Sequence, residues 1–230
     1  MLVLAIDTTT SVCSVALARG DRLLAEISTN LARTHSQRLL PLVENLMAET
    51  GIKPEDLELL AVTRGPGSFT GLRIGIATIK GMGLALDLPV VGVSTLQVLA
   101  HNFGEGLVCP VLNARLNQVY TALYRTGLSP APENLLPEQA ISIQGLLEKL
   151  KGYDEPIWFC GDGVDLVLPA AAEVLAAPRR APLHLLRNRA GALADLAQHC
   201  QSCSADALAP FYLRDSQAEI QLRQRLEGAK

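Results

Sequence analysis

The chain of 230 residues is short of rings and of charge: aromatic side chains make up 4% of it and charged ones 19%. So few rings argue against base stacking as its theme. A formal net charge of −3 and a pI near 5.8 argue against a protein whose main business is coating nucleic acid, leaving room for a local basic patch at most. Cys13, Cys109, Cys160, Cys200 and Cys203 are odd in number and mostly embedded in apolar runs, which excludes a disulfide framework and reads as reduced thiols. Met1 leads straight into a strand pattern without a basic start or a cleavable apolar segment, so no secretory signal is read. The apolar window from Ile74 to Val93 is broken by Lys80, Asp87 and Pro89 and is too short to span a membrane; the expected location is the cytoplasm. What the chain has in quantity is apolar surface, 49% hydrophobic residues and a mean hydropathy of +0.24, enough for a real core and suggestive of surface buried between subunits.

The stretch that organises the rest is Thr63-Arg64-Gly65-Pro66-Gly67-Ser68-Phe69-Thr70-Gly71-Leu72-Arg73-Ile74-Gly75 and its continuation to Leu86. A buried strand from Leu59 to Thr63 meets a tight Gly-Pro-Gly turn, and the turn launches a helix from about Thr70 to Leu86 that is apolar or small nearly all round. Interior glycines cost about 1 kcal/mol each relative to alanine, so Gly71, Gly75, Gly81 and Gly83 imply that something packs closely against this helix. Before it, Leu2–Ile6 ending in Asp7, Val12–Ala18 and Arg22–Ser28 are joined by short turns and predict an antiparallel meander. A helix from Thr34 or His35 to Glu49 follows, with Pro41 placing a kink or the first helical turn, and strand Val90–Val93 and a helix from Ser94 to about Phe103 complete the unit.

From Val108 the phrase repeats more faintly: an apolar strand ending in Asn113, a polar turn, and a second strand Gln118–Tyr124. A linker is read at Ser129–Pro137, then a helix near Ser142–Lys151, a strand Ile157–Cys160 and the turn Gly161-Asp162-Gly163. Beyond the turn the pattern blurs, apart from a helix at about Asn188–Gln201, a segment Asp206–Leu213 that crosses back, and a terminal helix near Gln217–Glu227. The expected organisation is two lobes, 1–104 and 105–209, with 210–230 returning to the first.

Among chemical candidates, Asp7 with Thr8, Thr9, Thr10 and Ser11 has two readings that the sequence leaves open. A carboxylate at the end of a central strand beside hydroxyls and amides can hold a hydrated magnesium near phosphates, or it can simply close a side-chain-capped turn. Gly65–Gly71 lacks the Lys-Ser or Lys-Thr of a P-loop and reads as structural or interfacial. His199, Cys200 and Cys203 make at most half a zinc site, Ser68 has no evident base for a hydrolytic triad, and Arg179, Arg180, Arg187 and Arg189 read as a solvated face.

Leu4–Ser11, Thr34–Pro41, Gly65–Gly75 and Phe211-Tyr212-Leu213-Arg214 together resemble the TsaB (YeaZ) family of bacterial tRNA threonylcarbamoyladenosine biosynthesis proteins, strongly over the first 100 residues and loosely beyond. The resemblance implies a two-lobed α/β fold of the actin-like, Hsp70-like ATPase (ribonuclease H-like) class, mixed sheets with helices built on a duplicated βββαβαβ unit. It implies a non-catalytic subunit that pairs with the catalytic paralogue TsaD and, with the ATPase TsaE, supports transfer of threonylcarbamoyl to the adenosine beside the tRNA anticodon, tRNA being reached through the complex. The paralogue's metal-binding His-x-x-x-His pair falls here on Thr95 and Leu99, so no metal is expected. No cofactor is expected for the chain alone; weak ATP or ADP binding with magnesium at Asp7, Thr8, Thr9, Thr10, Gly161, Asp162 and Gly163 is the outer possibility, because Asn113 stands where a second carboxylate would complete the charge. The partner surface implied is His35, Leu39, Leu42, Val43 and Leu46 on one helix with Gly67, Ser68, Phe69, Thr70, Gly71, Leu72, Gly75, Thr78 and Met82 on the turn and helix after it, used for TsaD or, in its absence, for a second copy. The other function class in play is a stand-alone ATPase or kinase of the same fold.

Overall fold

The computed structural model describes residues 1–31 and 34–214. In chain order these form β1 (Leu2–Asp7), β2 (Cys13–Arg19), β3 (Arg22–Thr29), α1 (His35–Thr50), β4 (Leu59–Thr63), α2 (Phe69–Leu86), β5 (Val90–Val93) and α3 (Thr95–His101). Then come β6 (Gly106–Asn113), β7 (Gln118–Thr126), β8 (Glu133–Ser142), α4 (Ile143–Leu150), β9 (Ile157–Cys160), α5 (Val164–Val174), β10 (Pro178–Arg180) and α6 (Ala190–Ala197). The first sheet has the order β3-β2-β1-β4-β5 and the second β8-β7-β6-β9-β10, the same order with every element matched. In each, the meander is antiparallel and the last three positions are parallel. The faint internal repeat is therefore a full structural duplication, and the fold is the two-lobed actin-like class that the resemblance implies.

Strand periodicity explains how the first sheet is covered on both sides. Leu2, Leu4 and Ile6 of β1 point into a core shared with Leu39, Val43 and Leu46 of α1 and Ile76 and Ile79 of α2. Val3 and Ala5 point to the other side, where Ala16, Ala18 and Ala61 meet Ala190, Leu193, Ala194 and Ala197 of α6. Alanine on both partners lets a helix lie close to a sheet. The third helix of each lobe crosses over: α6 covers the first sheet, while Leu96, Leu99 and Ala100 of α3 enter the core of the second. This exchange locks the two lobes together.

Several expectations are corrected here. The supposed linker at Ser129–Pro137 runs into β8 from Glu133 onward, and the Pro137 and polar residues of that strand suit an edge position. Residues beyond Gly163 form α5 and β10, and the helix expected at Asn188–Gln201 is the shorter α6. α3 ends at His101 rather than Phe103, and α1 runs through Pro41, in its second turn. The chain returns to the first lobe at α6, some twenty residues before the expected position 210: Cys203 pairs with Val90 on the open edge of β5, and the Phe211 amide donates to the Arg64 carbonyl at 2.7 Å. The terminal helix expected at Gln217–Glu227 lies outside the described residues.

α2 is long and apolar enough by composition to cross a membrane, yet Leu72, Ile76 and Ile79 bury it on its own sheet. Its glycines are used within the chain. A Cβ on Gly75 would stand 2.5 Å from Thr8 Oγ1, and one on Gly71 would meet the Thr8 carbonyl, so both accommodate the turn after β1 rather than another subunit. Gly81 faces open space. Replacing Gly71 with alanine should therefore cost about 3 kcal/mol by forced displacement of backbone, whereas Gly81→Ala should gain up to about 1 kcal/mol from helix propensity. Chemical denaturation of the two variants checks this; equal effects would show that the Thr8 contact is not what the glycine serves.

Candidate functional site: the cleft between the lobes

The site is built from the two β-turns at the carboxyl ends of β1 and β6, the starts of α2 and α5, and the returning segment 211–214. Asp7 ends β1 and is 1% exposed. Its Oδ1 accepts from the Thr9 amide at 2.9 Å and the Thr9 hydroxyl at 2.8 Å, and its Oδ2 accepts from Asn188 Nδ2 at 2.8 Å. Of the two readings left open by the sequence, the side-chain-capped turn is the one realised, with Asn188 drawing the beginning of α6 onto the same carboxylate. The Thr8 hydroxyl donates to the Gly71 carbonyl at 2.7 Å and the Ser68 amide to the Thr9 carbonyl at 2.7 Å, which seats the α2 N-terminus on the turn. Ser68 then caps α2 by accepting from the Gly71 amide at 3.2 Å.

Between the lobes lies a cleft of ≈ 720 Å3. The first lobe contributes Thr9, Thr10, Ser11, His35 and the 66–70 turn; the second contributes 112–116, Tyr120 and Asp162; Phe211 to Arg214 close one end. His35 Nε2 donates to the Thr10 carbonyl at 2.8 Å, and Arg38 Nη2 lies 3.4 Å from Nδ1. Arg38 itself is 7% exposed and has no carboxylate partner among the described residues. Across the cleft Asn113 Oδ1 accepts from the Arg115 amide, Asp162 Oδ1 accepts from the Asn113 amide, and Arg214 Nη1 donates to the Ala114 carbonyl. Arg115, Leu116 and Asn117 all have left-handed φ, between 50° and 62°. Three consecutive non-glycine residues there cost about 1 kcal/mol or more each, and Arg115 and Leu116 of this run line the cleft wall.

The magnesium-nucleotide arrangement does not fit these residues. Thr9, Thr10 and Asp162 do line the cleft, but Asp7 and Thr8 lie beneath it with their oxygens engaged, and Gly161 and Gly163 pack against the Val111 carbonyl. Asn113 brings no charge. Thr95 and Leu99, the positions matching the paralogue's histidines, are fully buried, Leu99 inside the second lobe's core.

The partner surface read from the sequence divides. Leu39, Val43, Leu46 and Leu72 are at most 4% exposed and belong to the first lobe's own core, and Gly71 and Gly75 face Thr8, so none of these six offers itself to another chain. A stripe at helical spacing marks a helix's core side and its partner side alike, which is why the sequence does not separate them. His35, Leu42, Gly67, Phe69, Thr78 and Met82 are half-buried, and Ser68 and Thr70 are exposed. The residues that sequence reasoning missed sit on the outward side of α2: Ala77, Gly81, Ala85 and Leu84, the last 62% exposed. Also missed was the stack at the cleft mouth, where the Phe69 and Tyr212 rings lie 5.1 Å apart and the Arg73 guanidinium sits 3.9 Å from the Phe69 centroid. The clue to it in the sequence is the pairing of Phe69 with the late Phe211-Tyr212.

Burial raises the Asp7 carboxyl above the usual range, against the pull of the hydrogen bonds from Thr9 and Asn188 and of the nearby Thr63 hydroxyl. A folded pKa above the unfolded value near 3.9 means that Asp7 contributes most stability below that value and loses it as pH rises through the folded pKa. The stability of the protein relative to Asp7→Asn should thus be greatest near pH 4 and decline toward neutrality, by at most about 1.4 kcal/mol per pH unit. Denaturant midpoints of both proteins across that range test it; a pH-independent difference, or one that grows with pH, refutes the assignment.

Comparison with known proteins agrees with this geometry. The family model described as TsaD, tRNA N6-adenosine threonylcarbamoyltransferase, matches residues 22–222. The tRNA threonylcarbamoyladenosine biosynthesis protein TsaB of Bacillus subtilis is 37% identical over 95% of this chain and 96% of its own length; that of Escherichia coli is 42% identical over 54% of this chain and 55% of its own. The crystal structure of YeaZ from Pseudomonas aeruginosa, 30% identical, superposes with a TM-score of 0.79 over 92% of this chain and 99% of that one. With the β1 turn, the Gly-Pro-Gly launch of α2 and the exchanged third helices all in place along nearly its whole length, the chain belongs to the TsaB (YeaZ) family, within the TsaD-like domain class.

Proposed function

We propose that this chain is a non-catalytic subunit of the machinery that makes threonylcarbamoyladenosine in tRNA, working in the cytoplasm by pairing with TsaD and, with TsaE, supporting TsaD's transfer reaction. Full-length membership of the TsaB family supports the pathway. The observation that carries the subunit role is the outward side of α2: Ala77, Gly81, Leu84 and Ala85 form an apolar, small-residue strip on a helix whose opposite side is already buried. Leu40 of α1, a helix in contact with α2, is also 53% exposed. Such a strip is costly to leave in water and lets a partner helix come close. In the absence of TsaD the same strip would pair with a second copy.

The competing reading, a self-sufficient ATPase or kinase, needs a free carboxylate from β1 in the cleft to organise magnesium. Asp7 is buried under the turn with both oxygens committed, which favours the subunit. Two measurements test the proposal. Supplying this chain to a bacterium depleted of its own TsaB should restore threonylcarbamoyladenosine in its tRNA, read by mass spectrometry of nucleosides; failure to restore it removes the reading. Ala77→Glu and Leu84→Glu should weaken both self-association and pairing with TsaD at least tenfold in sedimentation, while changing folding stability by no more than about 0.5 kcal/mol. If both variants still associate normally, the interface lies elsewhere.

A further inference from the structure

We propose that the cleft between the lobes touches RNA directly, as a seat for a short single-stranded segment whose bases stack on its rings and whose phosphates meet its arginines. The inference rests on the reading that this chain serves tRNA modification, and it places on this subunit a contact that reading leaves to the complex. Its starting point is where the chain spends its few aromatic residues. There are nine, four phenylalanines, four tyrosines and one tryptophan, and four of them, Phe69, Tyr120, Phe211 and Tyr212, line this one cleft. Low aromatic content argues against stacking on average; concentration at one place reverses that argument locally.

Charge is concentrated in the same way. Arg115 and Arg214 line the cleft, Arg64 lies 5.7 Å from the Phe211 centroid, and Arg73 lies 3.9 Å from that of Phe69. Against these four cations, Asp162 is the one acidic lining residue among those described, and it already accepts from the Asn113 amide. Behind the Ser11 and His35 wall, Arg38 adds a buried guanidinium whose contacts are all to uncharged groups, at 3.1 Å or longer. On a chain of net charge −3, this is a local inversion that attracts anions.

Rings beside cations at the mouth of an open groove are what single-stranded nucleic acid needs, because each base has a face to stack and each phosphate a charge to pair, whatever the sequence. Tyr212 is 39% exposed at that mouth, and Ser11, Ser68 and Thr70 add hydroxyl groups along the cleft. A volume of ≈ 720 Å3 admits extruded nucleotides but not a helix. An acidic protein segment would use the arginines and leave the concentration of rings unexplained, so RNA is the better-matched occupant. With Asp7 withdrawn beneath the turn, the charges on hand to neutralise the phosphates are those of the arginines.

The test uses the full chain and a fluorescein-labelled, unmodified anticodon stem-loop RNA, with fluorescence anisotropy as the readout. Binding should weaken at least tenfold on Tyr212→Ala and on Arg115→Asn, the latter chosen because asparagine tolerates the left-handed backbone at that position. Arg115→Asn should also lower the salt dependence of binding by about one phosphate contact. In cells, ultraviolet cross-linking should attach ribonucleotides to Tyr120, Phe211 or Tyr212, which captures contacts made only in an assembled complex. The inference is overturned if neither variant changes binding, if blunt duplex RNA or polyglutamate competes as well as the stem-loop, polyglutamate pointing to an acidic protein partner, or if cross-links are absent from the cleft. Restoration of modified tRNA is scored separately: a chain that restores it yet makes no cross-link at the cleft refutes the RNA seat and leaves the subunit role standing.

Discussion

The buried carboxylate of Asp7 is the point on which the two lobes and the cleft between them depend. One oxygen folds the Thr8–Ser11 turn back on β1, and the other holds Asn188, two residues before α6. α6 in turn covers the first sheet with its alanines, and the turn in its turn carries the start of α2 through Thr8 and Thr9. A carboxylate so placed is desolvated at a cost that its hydrogen bonds only partly offset, which is why its proton affinity rises. The same commitment withdraws it from chemistry in the cleft.

Duplication explains why a chain of this size is held so firmly across two lobes. Each half builds the same sheet, and each sends its third helix to cover the other's. Neither sheet is covered on both faces by its own half, so neither lobe has a complete core alone. α1 and α2 carry the residual apolar surface of the first lobe. With Leu39, Val43, Leu46 and Leu72 committed inward, Leu40 and Leu84 remain outward with Ala77, Gly81 and Ala85, the last three small enough to let another helix approach.

The cleft separates this protein from a nucleotide-hydrolysing relative of the same fold by the direction its groups face. Hydroxyls, rings and arginines point into it, while the carboxylate that would hold a metal points beneath it. Strain in the run Arg115 to Asn117 is tolerated in the wall of this cleft, a place where backbone strain and function commonly coincide. This arrangement accords with the proposed role of a subunit that binds rather than catalyses.

Strands and helices of the first hundred residues were legible because their periodicities are clean: β1 is a continuous apolar run, the α1 stripe repeats at helical spacing, and Ser68 and Ser94 cap the helices they precede. The second lobe was harder to read because β8 carries Pro137 and polar residues on an edge, where a strand tolerates them, because Pro169 interrupts the pattern of α5, and because β10 is short. The sequence by itself determined the meander, the glycine-launched helix, the duplication and the family. Only the tertiary structure decided which way things face. Gly71 and Gly75 look alike in sequence whether they admit a partner or the Thr8 turn, Asp7 looks alike whether it meets a metal or Asn188, and Tyr120 and Tyr212 stand 92 positions apart until the fold sets them in one cleft. Spacing along a chain fixes which side chains share a face, but what that face meets depends on contacts between residues far apart in sequence, and those exist only once the sheets have closed on each other's helices.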